Sequence, residues 1–247
     1  MKKVLILHSS KRKMNTYGLL LQVEKILEEK NIQVEILDLH NYKIDYCIGC
    51  EHCIVKNACV LKDDVDFIMN KMIEADGIII SSPVYLKQVS GILKTFIDRT
   101  CKWYHRPVLY GKPILTISTT KGSGLKDTLD YMTSVTIQWG AMAAGKIGRN
   151  IRNIDKKVKE RDLKKFLSLM EDASSYNPKM SELINFEVQK SLAQMLSGLD
   201  KQYWEEKNWM NEKYYFPCKI KGYKCIIPIV IGKIIRKAMG KKAIELK

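Results

Sequence analysis

Residues 3–30 read KVLILHSSKRKMNTYGLLLQVEKILEEK. The first six, Lys3–His8, form a short, nearly continuous apolar run, the pattern of a strand buried on both faces of a parallel sheet. A polar loop, SSKRKMNT, follows. From Tyr17 to Lys30 apolar residues then recur at helical spacing, at Leu19, Leu20, Val23 and Leu27. Strand, polar loop and helix make half of a βαβ unit.

The unit recurs along the chain. Gln33–Leu39 alternates as a second strand, Gly77–Ser81 (GIIIS) is a third, Pro113–Ser118 (PILTIS) a fourth, and Gly140–Ile147 a small-residue fifth. Helices are predicted over Asp63–Ala75, with Val65, Phe67, Ile68, Met72 and Ile73 as its apolar positions, and over Gly91–Trp103, Leu125–Trp139 and Asp155–Glu171. This alternation implies an α/β domain over residues 1–175, a five-stranded parallel sheet with right-handed crossovers and helices on both faces. Residues 176–247 differ. They hold one further predicted helix, Met180–Leu196, then an aromatic, lysine-rich stretch without clear period, then an apolar and basic tail.

A chain of 247 residues with 46% apolar content can bury a substantial core and reads as globular. No stretch is long enough to span a bilayer. The opening residues lack a signal-peptide pattern, so a cytoplasmic setting with reduced thiols is expected. The formal charge of +15 favours anionic partners. It carries no helix-turn-helix or zinc-finger pattern, so nucleic acid is not an expected partner.

Open parallel sheets bind ligands beyond the carboxyl ends of their strands. Three loops converge there. Ser9–Thr16 places Ser10, Asn15 and Thr16 beside a helix N-terminus, where backbone N–H groups favour a phosphate and Arg12 adds charge. SSPVYLKQVSG, Ser81–Gly91, offers the Tyr85 ring to a planar ligand. TTKGSG, Thr119–Gly124, permits close backbone approach at its glycines. Each loop alone also reads as an ordinary cap or turn. G-x-G-x-x-G and Walker motifs are missing, which argues against a dinucleotide Rossmann site or a P-loop. A phosphate anchor with two loops around a flat ring suits a mononucleotide such as FMN.

The combination of SSKRKMNT, a cysteine-rich loop ending in Asp63–Asp64, SSPVYLKQVSGILKTFIDR and TTKGSG resembles the NADPH-dependent FMN reductase and iron–sulfur flavoprotein branch of the flavodoxin-like superfamily. The resemblance implies a doubly wound sheet of order 2-1-3-4-5. It also implies FMN bound by its phosphate to Ser10, Arg12, Asn15 and Thr16, with Pro83, Val84 and Tyr85 lining the isoalloxazine and Thr120 and Gly122 on its other side. Lys94, Asp98 and Arg99 would then be structural positions near a dimer interface, with Leu93, Phe96 and Ile97 on the same helix. Lys11 and Met14 depart from the family pattern, at positions where proline and a small residue are usual.

The remaining motif is CIGCEHCIVKNAC, Cys47–Cys59, which concentrates four of the seven cysteines. Cys47, Cys50 and Cys53 repeat the compact ferredoxin trio, and Cys59 could close a [4Fe–4S] site, as the resembled flavoproteins do. Gly49 would relieve crowding around a cluster and Lys56 would offset its charge. Zinc with separated C-x2-C pairs is a poorer match. Thiols without metal stay open as well. Cys101, Cys218 and Cys225 show no ligand spacing and read as incidental.

The resulting expectation is an FMN-dependent NAD(P)H oxidoreductase. Reduced nicotinamide is its donor, and a quinone, nitro compound or ferredoxin its acceptor, with a homodimer or higher homo-oligomer as the assembly. The rival is a non-catalytic flavin and iron–sulfur carrier that exchanges electrons with ferredoxin, for which the basic surface would suit docking. In the tail, Ile226–Ile235 followed by Lys233, Arg236, Lys237, Lys241 and Lys242 reads in two ways. It either wraps the core or a neighbouring subunit, burying Ile229, Val230 and Ile234, or makes peripheral membrane contact with Trp204, Trp209, Tyr214, Tyr215 and Phe216 as interfacial anchors.

Overall fold

The computed structural model describes residues 1–195, 198–220 and 222–239. Five strands, β1 (Lys3–His8), β2 (Gln33–Asp38), β3 (Gly77–Pro83), β4 (Pro113–Thr119) and β5 (Met142–Arg149), form one all-parallel sheet of order β2-β1-β3-β4-β5. The helices are α1 (Asn15–Glu28), α2 (His52–Lys56), α3 (Val65–Glu74), α4 (Gly91–Arg99), α5 (Lys102–His105), α6 (Leu125–Gln138), α7 (Glu160–Glu171), α8 (Met180–Met195), α9 (Leu199–Glu206) and α10 (Ile227–Met239). The strand order is that of a flavodoxin-like doubly wound sheet, as the sequence implied.

The central strands β1, β3 and β4 are almost wholly buried because each side of the pleat faces a helical layer, while the edge strands β2 and β5 carry polar residues. In β1, Val4 and Ile6 belong to the core shared with α1 and α7, while Leu5 and Leu7 belong to the core shared with α3, α4 and α6. Two expectations on the second layer need correction. Phe67 and Ile73 of α3 are 47% and 41% exposed, and Met69 is buried instead; Phe67 stacks on Tyr42 with ring centroids 5.7 Å apart. Leu93 and Phe96 of α4 are fully buried against the sheet, so neither has surface left to offer a second copy.

The helix expected over Gly91–Trp103 is broken. The Thr100 hydroxyl donates to the Ile97 carbonyl at 2.7 Å and accepts the Trp139 indole N–H at 3.0 Å, which ends α4 before α5 begins. Cys101 lies in the turn between the two helices.

The C-terminal residues join the α1 and α7 face. Phe186, Trp204, Trp209, Tyr214 and Tyr215 are buried in the same core as Leu163 and Phe166. Burying each such ring contributes roughly 1.5–3 kcal/mol or more. Trp204, Trp209, Tyr214 and Tyr215 therefore cannot anchor in a lipid interface, and Phe216 is half-buried against Tyr176. Helix α10 packs on α8, tied by Arg236 donating to the Ser191 hydroxyl at 2.8 Å. Val230 and Ile234 do not pack on the core of their own chain; they lie on an exposed apolar stripe with Tyr223, Ile226 and Ile227, while Ile229 is partly buried. Lys241 and Lys242 fall outside the described residues. Among the described residues no helix is long and apolar enough to cross a membrane.

Candidate functional site

The loops after β1, β3 and β4 enclose a pocket of about 260 Å³ lined by Ser10, Arg12, Asn15, Thr16, Pro83, Val84, Tyr85 and Thr120, all expected from the sequence. Met14, Thr119 and Lys121 also line it. Gly122 does not; its N–H donates to the Thr120 hydroxyl at 3.0 Å, which shapes the turn beside the pocket.

A network of small buried hydroxyls joins the loops that carry the pocket. Ser9 donates to the Ser81 carbonyl at 2.8 Å, Ser90 donates to the Ser9 hydroxyl at 2.9 Å, and Ser118 donates to the Ser82 carbonyl at 2.8 Å. Thr16 and Thr119 share a hydrogen bond of 2.6 Å. These bonds lock the three loops to one another. They also mean that Thr16, only 3% exposed, already has a partner.

The open chemistry lies at the N-terminus of α1. Its N-cap is Met14, which contributes no side-chain cap, and its first turn holds no acidic residue. The first-turn N–H groups are thus left for an anion, with the exposed cations Arg12 and Lys121 beside them. This donor set fits a phosphate. Lys11 and Met14, the two departures from the family pattern, are both exposed and leave the pocket intact.

The far lip of the pocket is strained. Tyr85 bridges Gln88, and the two residues between, Leu86 and Lys87, have φ of 47° and 64°. Gly124, at φ 88°, packs so closely beneath that a Cβ there would lie 2.5 Å from the Lys87 Cα. A larger groove of about 760 Å³ at the other end of the strands is lined by Lys30, paired with Glu160 at 2.5 Å, by Lys2, paired with Glu171 at 2.9 Å, and by Arg161 and Lys164.

The second site is the cysteine loop. Cys47, Cys50, Cys53 and Cys59 all line one cavity of about 210 Å³, and Cys101 joins them. Sequence spacing could not show the fifth thiol, which comes from the turn between α4 and α5 and not from the motif. Left-handed Gly49, Glu51 and Asn57 fold the loop around this cavity, with φ of 66°, 56° and 57°. Nothing approaches the Cβ position of Gly49, so its glycine serves the turn and not close packing. His52 is exposed and meets the Ala58 carbonyl at 2.8 Å.

Two buried arginines hold this loop. Arg99 donates to the Asp45 carbonyl at 2.8 Å, to the Cys59 sulfur at 3.3 Å and to Asp63 at 3.0 Å. Burial works to raise the Asp63 carboxyl, but the Arg99 hydrogen bonds and the backbone N–H groups of Asp45 and Val65 outweigh it and hold it below its ordinary value. Arg106 donates to the Cys53 carbonyl at 2.8 Å and to the Ile54 carbonyl at 3.0 Å. Burial, then the neighbouring thiols, pushes Cys53 up and Cys101 up to about 11. Lys56, expected to offset charge here, is exposed and does not line the cavity; Arg99 does.

Among the described residues no three His, Cys, Asp or Glu side chains are grouped to hold a single metal ion. A lone zinc would draw four sulfurs to ~2.3 Å from itself and so to within ~4 Å of one another. The donor set suits a larger anionic thiolate-bound group better: four motif thiols around one cavity, with the Arg99 Nε–H buried there and without a partner. Cys101 is a spare thiol beside them.

A sequence profile described as NADPH-dependent FMN reductase matches residues 2–155. The chain belongs to that family. It is 34% identical to an iron–sulfur flavoprotein of Archaeoglobus fulgidus over 223 residues, 85% of this chain and 100% of the relative. An iron–sulfur flavoprotein of Clostridioides difficile is 28% identical over 66% of this chain and 75% of its own length. Among solved structures, RosB with a bound riboflavin-phosphate intermediate superposes with a TM-score of 0.54 at 13% identity, over 90% of this chain and 92% of that one. At that identity the likeness shows the flavodoxin-like fold alone. With the family established, this is a flavin-dependent oxidoreductase of flavodoxin-like fold.

Proposed function

We propose that the chain binds FMN in the pocket at the N-terminus of α1, oxidises reduced nicotinamide, and passes the electrons on through a [4Fe–4S] cluster held by Cys47, Cys50, Cys53 and Cys59. The observation that carries this reading is the presence of both donor sets in one chain, at opposite ends of α4. Ser90 precedes that helix in the hydroxyl network under the pocket, and Arg99 ends it against Cys59. Nine residues at ~1.5 Å rise put roughly 14 Å of helix between them.

When bound, the flavin supplies hydride acceptance and one- or two-electron release, and the cluster a one-electron outlet. The chain's own residues bind and orient. Arg12, Lys121 and the α1 N–H groups hold the phosphate, while Pro83, Val84 and Tyr85 flank the ring. Hydride transfer needs no side-chain acid or base, and the pocket lining contains no carboxylate or histidine. The name iron–sulfur flavoprotein, borne by relatives over the cysteine region, supports the cluster.

The test is the flavin, iron and sulfide content of anaerobically purified protein. The proposal expects FMN together with about four iron and four sulfide per chain. FMN without iron would remove the cluster and leave the reductase. Zinc in place of iron would replace the redox outlet with a structural ion.

A further inference from the structure

Asp200 lies in the first turn of α9, far along the chain from the cysteine motif, and is 4% exposed. It forms a buried ion pair with Arg106, itself 5% exposed, and meets the His105 ring at 3.2 Å. The same Nη1 also donates to the Ile54 carbonyl and Nη2 donates to the Cys53 carbonyl, so the guanidinium joins Asp200 to the cysteine loop. Those two residues belong to α2, a helix of five residues whose last carbonyls have no intrahelical partner. Left to itself so short a helix is not stable. The guanidinium closes it, and Asp200 holds the guanidinium.

Neighbouring contacts make the support rigid. The Trp204 indole N–H donates to the His105 carbonyl at 2.9 Å, and the Tyr203 hydroxyl donates to the Pro107 carbonyl at 2.9 Å. Both residues flanking Arg106 are thus tied to α9. Arg106 therefore cannot follow α2 if α2 moves, and α2 is held where Arg106 is held.

We propose that Asp200, acting through Arg106, is a positioning residue for the four-cysteine site, fixing Cys53 in place so that the C-terminal segment is a working part of that site. The inference rests on the reading of the loop as a cluster site. Partners that orient metal ligands are typically worth 10–100-fold in metal affinity, about the size of effect expected here. Among the described residues, none that lines the pocket at the α1 N-terminus belongs to α9, so the effect should stay local.

The experiment compares wild type with Asp200→Asn and, separately, Arg106→Lys, which keeps the charge but loses the fork. Iron release from anaerobically purified protein to a ferrous chelator is timed, and FMN retention and thermal midpoint are recorded. Hydrogen–deuterium exchange over residues 52–56 is measured on metal-free protein. Both variants should release iron at least ~10-fold faster and exchange faster at 52–56, with FMN retention unchanged. Iron release and local exchange at the wild-type rate in both variants would overturn the proposal, as would faster exchange spread evenly over the whole chain. If wild type holds no iron, the cluster reading falls by itself, and exchange at 52–56 still decides whether Asp200 holds the loop.

Discussion

Arg99 and Asp63, separated by 36 residues of chain, meet as an ion pair whose side chains are 1% and 2% exposed. The pair closes the cysteine loop on itself, because Arg99 also holds the Asp45 carbonyl before Cys47 and the sulfur of Cys59. Removing one partner leaves a buried, uncompensated charge. Arg99→Met is expected to destabilise the protein by about 3–5 kcal/mol, with the double change Arg99→Met and Asp63→Leu recovering much of that loss. Denaturant unfolding of the three proteins checks it; equal losses in single and double variants would show that the charge itself is not what matters.

Arg12 is exposed and faces the anion-ready end of α1. Arg12→Ala should weaken FMN binding by about 1.5–3 kcal/mol, roughly 10–100-fold, without changing stability of the flavin-free protein. Fluorescence titration with FMN measures this. Thr16 is a poorer probe, because its hydroxyl is bonded to Thr119 and its loss would disturb the fold as well as the site.

Gly124 permits the close approach of two loops at the pocket's lip. Gly124→Ala combines strain at φ 88° with a clash against the Lys87 backbone. A loss of about 1–3 kcal/mol in stability is expected, together with weaker FMN binding as the Tyr85–Gln88 turn shifts. Unchanged FMN affinity would separate that turn from the flavin site.

His8 ends β1 directly before the phosphate loop and is fully buried, with neither ring nitrogen in a hydrogen bond of normal geometry. Burial lowers its pKa, and the Asp38 carboxylate and the nearby Ser10 backbone offset this only in part. The folded state therefore binds fewer protons than the unfolded chain as pH falls through the ordinary histidine value of 6.5. Stability should be lost as pH drops below that value, and His8→Asn should flatten the slope. Thermal midpoints between about pH 7.5 and 5.5 report it.

The fold was legible in the sequence where burial on both faces leaves an unbroken apolar run, as in Lys3–His8 and Gly77–Ser81. The residues that line the pocket at the α1 N-terminus were legible because the loops that carry them follow directly on those strands. What the chain brings together across long separations was not legible. Cys101 lines the cysteine cavity from the turn between α4 and α5, and Asp200 meets Arg106 across 94 residues. The aromatic segment from Trp204 to Tyr215 has no period to reveal its burial. Its rings pack edge to face around Trp209, with Tyr110, Tyr203, Trp204 and Tyr215 each within 6 Å, in a cluster that tertiary contact alone specifies.

The central claim is that electrons enter from reduced nicotinamide through the flavin. Anaerobic titration of FMN-loaded protein with NADPH, and separately with NADH, tests it most directly through the flavin absorbance. The account predicts bleaching of the oxidised flavin bands at stoichiometric nicotinamide by at least one of the two. Flavin that stays oxidised with excess of both, yet is reduced by reduced ferredoxin, would contradict it and identify a carrier that exchanges electrons only with protein partners.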